Sequence, residues 1–315
     1  MSSESESEIL DLYQISLLLT YERGTTEPRF RHAKLREEFD DNRPLTTYIF
    51  DRDSKYKSTK LDMTSSPDLP SEILPLNFNE NDPLNSLTTK ELDTALWQAR
   101  GYDGCYKSVT LLQHFFDLYP RSTQIRICHG PKGKALFGLS QARGDAYVTE
   151  LGKRVILEMT LVQACQSSLS SVCPENMTYI SGESKTMLHA VFGFASPGAE
   201  NCTAFLDLSS MQFGDVGRRP GLKGQGIFAL DTFDEFNDRM DSVAHGMSPH
   251  VMSNSKVAEK VKKRWENRKK EKCCGHCGAP LLDVKTCTGC LKAWYCNKEH
   301  QKLAWYFHRQ YCTKD

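Results

Sequence analysis

CGHCGAPLLDVKTCTGCLKAWYCNKEHQKLAWYFHRQYC, residues 274–312, is the stretch from which the architecture of this chain is read. Eight metal-ligating side chains fill it: Cys274, Cys277, Cys287, Cys290, Cys296, His300, His308 and Cys312. Their spacing, C-x2-C-x9-C-x2-C-x5-C-x3-H-x7-H-x3-C, makes four clamps, each able to place two soft ligands on one Zn²⁺. A segment this short cannot bury enough apolar surface to fold alone, so a metal or a set of disulfides must stabilise it. The composition selects metal. Cys296 with His300 and His308 with Cys312 stand four apart, one helical turn, an arrangement a disulfide framework would not use. Eight ligands give two closed tetrahedral sites, each with three thiolates and one imidazole and a net charge of about −1. Lys285, Lys292, Lys298, Lys302 and Arg309 stand near enough in sequence to offset it. No coordination position remains for water, so the two zinc ions are expected to be structural. Spacing allows either sequential or crossed pairing of the clamps. Cys274 rather than Cys273 is taken as the first ligand because it gives the two-residue gap to Cys277, which leaves His276 a bystander.

With Tyr295 before the fifth ligand, Gln301 after the sixth and Trp305 beyond, this segment resembles a MYND zinc finger. The resemblance covers about an eighth of the chain. It implies crossed pairing, with Cys274, Cys277, Cys296 and His300 on one zinc and Cys287, Cys290, His308 and Cys312 on the other. It also implies a protein-interaction module that takes short proline-containing peptides in a shallow groove, with Gln301 and Trp305 as the groove residues. The other role open to Trp305 is that of a core aromatic in a small domain.

The rest of the chain is ordinary in composition: 39% apolar, 25% charged, with 40 basic against 40 acidic residues. Balanced charge argues against a dedicated nucleic-acid protein. The sequence divides into an acidic, partly loop-like region (1–88), an α+β body (89–245), a basic helical linker (246–272) and the finger (273–315). Residues 256–272, KVAEKVKKRWENRKKEK, hold nine Lys or Arg against three Glu without Pro or Gly and read as a solvated helix. Nuclear import or nucleic-acid contact is its lesser reading. The N-terminus, MSSESESEILDLY, has the wrong charge for a signal peptide, and no apolar run reaches membrane-spanning length. Cys105, Cys128, Cys165, Cys173 and Cys202 are scattered without pairing spacings. The expectation is therefore a protein of a reducing compartment, the nucleus, the cytoplasm or both, with other proteins as partners and no membrane.

Along the chain, Ile9 to Tyr21 reads as a short helix or buried strand, and residues from about 25 to 90 as rich in Pro, Asp, Asn, Ser and Thr, with 70–91 the clearest loop. Helices are expected at Thr89–Gln98, Cys105–Leu118, Thr149–Ser168 and Thr232–Met240, and strands at Gln124–Cys128, Leu188–Phe194, Thr203–Leu208 and Gly226–Leu230. The run GRRPGLKGQG (217–226) reads as a mobile loop.

One constellation in the body carries catalytic chemistry. Cys105 would sit at the positive end of an amphipathic helix, where the thiolate is favoured. His189 begins the strand LHAVFGFA and Asp207 closes the next, with Gln212 nearby. This order of nucleophile, base and orienter loosely resembles papain-like and transglutaminase-like cysteine enzymes, implying a thiol hydrolase or acyl transferase. Against it, Cys105, Val109, Leu112 and Phe116 fall at helical spacing, so the cysteine can simply continue a buried stripe. Phosphate-binding glycine loops are absent. A SET-type methyltransferase is rejected, since the finger is terminal and no Asn-His-x-Cys-x-Pro-Asn stretch occurs. The sequence thus specifies an α+β body with a C-terminal zinc-stabilised finger acting as an adaptor, with a cysteine hydrolase or acyl transferase as the second reading and the body's activity left open.

Overall fold

The computed structural model describes residues 9–40, 45–53, 56, 83–129, 146–175, 177–218, 226–248, 256–280 and 285–312. The expected loop at 70–82 and most of the glycine-rich run (219–225) lie outside the described residues. Mixed helix and sheet make up the body, and the finger closes the chain.

Helix α1 (Leu12–Thr25), preceded by β1 (Leu10–Asp11), lies at the centre of the body. It is apolar nearly all round, LYQISLLL, which is why its sequence pattern left helix and strand undecided. Asp11 caps it by accepting from the backbone N–H of Gln14. After α1 come the antiparallel strands β2 (Lys34–Asp40) and β3 (Leu45–Asp51). β3 runs parallel to β7 (Ser167–Cys173), which pairs with β8 (Met177–Ser181), so residues 34–51 belong to a four-stranded sheet of the body and not to a separate acidic region.

Helix α2 (Thr89–Gly101) begins at a capping box, Thr88 with Glu91, and α3 (Cys105–Asp117) follows after a tight turn. A three-stranded sheet joins β1 to β4 (Gln124–Cys128) and β5 (Ala146–Glu150). The five-stranded sheet, in the order β11-β10-β9-β6-β12, is formed by β6 (Arg154–Ala164), β9 (Thr186–Phe194), β10 (Ala204–Asp207), β11 (Ala229–Thr232) and β12 (Ala244–Ser248). The helix expected at Thr149–Ser168 is instead the end of β5, a short 3₁₀ turn, the whole of β6 and the start of β7. Leu, Met, Glu and Gln favour helix there, but pairing with β9 on one side and β12 on the other outweighs that preference. The helix expected at Thr232–Met240 is α4 (Phe233–Val243), started by the Thr232–Glu235 capping box.

Helix α5 (Lys256–Glu266) joins body to finger, but it is docked and not a solvated spacer. Val261, Arg264 and Trp265 are buried, and the helix packs on α1 and α3. The finger holds a short hairpin, β13 (Lys285–Thr286) with β14 (Trp294–Tyr295), and α6 (Lys298–His308). Its Cys274, Cys277, Ala279, Tyr295 and Ala304 share one apolar cluster with α1. Among the described residues no helix is long and apolar enough to cross a membrane.

Candidate functional site: a paired-cluster finger and a buried cysteine centre

The eight expected ligands gather into two groups, Cys274, Cys277, Cys296, His300 and Cys287, Cys290, His308, Cys312, each with its ligand atoms within 4.8 Å of one another. The pairing is crossed. The Sγ atoms of Cys277 and Cys296 stand 3.7 Å apart, as do those of Cys287 and Cys312. Cys274 Sγ lies 3.5 Å from His300 Nδ1, and Cys290 Sγ lies 3.4 Å from His308 Nε2. A tetrahedron with metal–sulfur bonds of about 2.3 Å and metal–nitrogen bonds of about 2.0 Å has S···S edges of about 3.8 Å and S···N edges of about 3.5 Å. The separations fit zinc and are far beyond the roughly 2.05 Å of a disulfide. Each cluster could therefore hold one zinc ion.

Local structure explains the geometry. Cys296 precedes the N-cap of α6, Asn297, whose side chain accepts from the His300 backbone N–H at 2.7 Å, and Cys312 follows the helix end. Only the two histidines are helical, so each Cys–His clamp straddles a helix terminus. Hydrogen bonding from Cys277 and Cys296 holds the Cys274 thiol well below the usual thiol range. Burial pushes the Cys287 thiol up, but backbone N–H groups of Cys290 and Gly289 outweigh it and bring it down. His276 belongs to neither ligand group, as expected, but it has packing partners of its own. It is buried, its ring lies tilted against that of His300 with centroids 4.8 Å apart, and it meets Asp93 of α2 at 3.4 Å.

The other candidate residues also converge. His189 Nε2 lies 2.8 Å from Asp207 Oδ2, and Gln212 Nε2 lies 2.9 Å from His189 Nδ1. The register explains the first contact: Leu206 pairs with Phe192, which sets Asp207 opposite Val191, two residues along the same face from His189. Cys105 opens α3 and reaches the start of β9, its Sγ 3.5 Å from the Leu188 carbonyl oxygen and within hydrogen-bonding range of the His189 ring. The three are 1%, 0% and 0% exposed, yet Cys105 belongs to neither apolar cluster of the body. The N-terminus of α3 has no side-chain cap and no acidic residue in its first turn, and Cys105 is the first residue of that helix.

Three charged residues complete this centre, and sequence reasoning missed them. Arg239 of α4, fully buried, donates to Asp207 Oδ2 at 2.9 Å and bridges to Asp231 Oδ2 at 2.7 Å. Arg23 of α1 donates to the Arg100 carbonyl oxygen at 3.2 Å and lies against Gly104, where an added Cβ would come within 2.7 Å of its guanidinium. A signal for Arg239 was available: it shares the buried stripe Phe236, Arg239, Met240, Val243, where an arginine needs a buried partner. Burial opposes charge on His189, but Asp207 and Cys105 outweigh it and raise its pKa to about 9. Burial likewise opposes ionisation of Asp207, and His189 and Arg239 bring it down to about 2.

Residues 274–312 match the family model of the MYND finger. No curated protein and no solved structure matches the chain.

Proposed function

We propose that the protein is an adaptor whose finger takes short proline-containing segments of partner proteins, with Gln301 and Trp305 of α6 forming the groove and both zinc ions serving structure alone. The observation carrying this is Trp305, 45% exposed, while Tyr295 beside the zinc ligands is buried at 1%. Gln301 stands one helical turn before it, on the same side of α6. An exposed tryptophan with a neighbouring amide suits a ligand that offers proline rings and carbonyl groups. The test is fluorescence polarisation of a labelled proline-rich peptide with Trp305→Ala. Loss of binding with zinc retained supports the groove, while loss of zinc makes Trp305 a core residue and ends the assignment.

A second reading is favoured by the hydrogen bond of His189 to Asp207 with Cys105 beside the same strand: a thiol acyl-transfer centre acting on a carboxamide or ester. Cys105 Sγ would bond to the acyl carbon, its proton passing to His189 and then to the departing amine or alcohol. Water or a second amine would then displace the thioester, returning the proton to Sγ through the same ring. With Nε2 held against Asp207, Nδ1, which faces the Gln212 amide at 2.9 Å, is the ring atom that takes up and returns the proton. Alkylation at pH 6 tests this: preferential labelling of Cys105, slowed by His189→Ala, supports it, and labelling only after denaturation ends it.

A further inference from the structure

Between α1 and the finger lies a cleft of about 740 Å³, on a flank of α6 next to the one that carries Gln301 and Trp305. Ala304, Phe307 and His308 line it, and Trp305 does not. Its apolar walls include Leu17 and Trp265 from the body and Leu291, Trp294 and Phe307 from the finger. Five Arg or Lys side chains line it against two carboxylates, Asp11 and Glu271. Even with the charge of about −1 that a Cys₃His zinc site adds at Cys290, the walls stay positive.

Leu291 makes this cleft more than a gap between packed parts. Both zinc knuckles turn the chain just after their second cysteine, at Gly278 with φ +75° and at Leu291 with φ +58°. Gly278 is required by packing, since a Cβ there would stand 3.1 Å from the Leu17 carbonyl oxygen and from Tyr21 Cβ. Leu291 holds a branched side chain in the left-handed region and leaves it 68% exposed. An apolar side chain held in a strained backbone conformation without burial gains its burial from a partner.

We propose that this cleft binds an acidic peptide segment of a partner protein, which seats a bulky apolar side chain against Leu291 and sets its carboxylates along the basic wall. Nucleic acid fits less well, because the aliphatic lining of Leu17, Leu18 and Leu291 calls for a bulky apolar side chain that a nucleotide lacks. Trp305 does not line this site, so the finger presents two adjoining faces to partners.

The test uses the full-length zinc-loaded protein and fluorescence polarisation of a labelled peptide in which a leucine–phenylalanine pair is flanked by aspartates and glutamates. Its counterpart carries lysines at the flanking positions. The acidic probe is expected to bind and the lysine probe to fail. Leu291→Gly, which restores the geometry of the first knuckle, should weaken binding roughly tenfold or more with zinc content unchanged. Lys269→Glu should weaken it several-fold and flatten its salt dependence, and Trp305→Ala should leave it intact. Failure of the acidic probe, equal binding of the lysine probe, indifference to both Leu291→Gly and Lys269→Glu, or displacement by a single-stranded thymidine oligonucleotide would each overturn the proposal. A dimer abolished by Leu291→Gly would give the cleft to a second copy of the chain and would overturn it too.

Discussion

Arg264→Ala is expected to lower the stability of finger and body together. Arg264 is 7% exposed and holds three elements at once. Its NH1 donates to Glu22 Oε1 of α1 at 2.7 Å, its NH2 to the Gly278 carbonyl oxygen in the first zinc knuckle at 2.6 Å, and its Nε to Glu271 Oε1 at 2.8 Å. Removing one partner of a buried ion pair costs roughly 3–5 kcal/mol. Lys260 still stands 2.5 Å from Glu22 and reduces that, while Glu271 is exposed enough to turn to water. The lost donor to the Gly278 carbonyl adds about 1–3 kcal/mol. A net loss of about 3–4 kcal/mol follows, or about 6–8 °C in melting temperature for a chain of this size. Urea unfolding would be followed by tryptophan fluorescence and, in parallel, by zinc release to a chromophoric chelator. Both transitions should shift together. A shift below about 1 kcal/mol, or zinc release at a midpoint separate from the fluorescence change, would refute the view that the finger is built into the body.

Elemental analysis should find two zinc ions per chain, and Cys296→Ser should abolish one cluster while destabilising α1; unchanged zinc content would overturn the ligand assignment. The His189 and Asp207 contributions to stability have opposite pH limits. The raised pKa of His189 makes its contribution complete below 6.5 and lost as pH rises through about 9, and the lowered pKa of Asp207 makes its own complete above 3.8 and lost as pH falls through about 2. Stability from this network should therefore be greatest between 3.8 and 6.5 and fall toward pH 9, and His189→Gln should flatten the alkaline slope in denaturant titrations. Arg239→Met should cost roughly 3–5 kcal/mol, because Asp207 and Asp231 remain buried without their shared cation; a near-neutral result in urea unfolding would show that the two carboxylates re-solvate.

What was legible in the sequence is what repeats at short range. Eight ligands in clamps of fixed spacing declare a metal site whatever surrounds them, and the amphipathic period of Cys105, Val109, Leu112 and Phe116 fixes α3. Crossed pairing rested on family resemblance, since spacing allows two schemes. The order Cys105, His189, Asp207 suggested the centre, but only sheet register sets Asp207 beside His189, and register depends on partners far away in sequence. The same holds for β6, whose helix-favouring residues are overruled by the strands on either side. Arg23 and Arg264 were illegible for another reason. A lone arginine reads as surface, and only the fold shows the carbonyl or carboxylate that lets it be buried.

Helix α1 explains why a finger recognisable by sequence alone is not a detachable module. Within two turns it meets both centres. Leu17 and Tyr21 abut Gly278 of the first zinc knuckle, Glu22 holds Arg264, and Arg23 lies against Gly104 at the start of the helix that carries Cys105. A linker-borne finger would present a polar back to this helix. Here Cys274, Cys277 and Ala279 form part of the same apolar cluster as Leu17, Leu18 and Tyr21, so the surface that zinc organises is also wall of the body's core. The finger thereby gains rigidity that two metal ions alone would not give it. In return the body has one face of its central helix covered by residues that include ligands of the first cluster, Cys274 and Cys277.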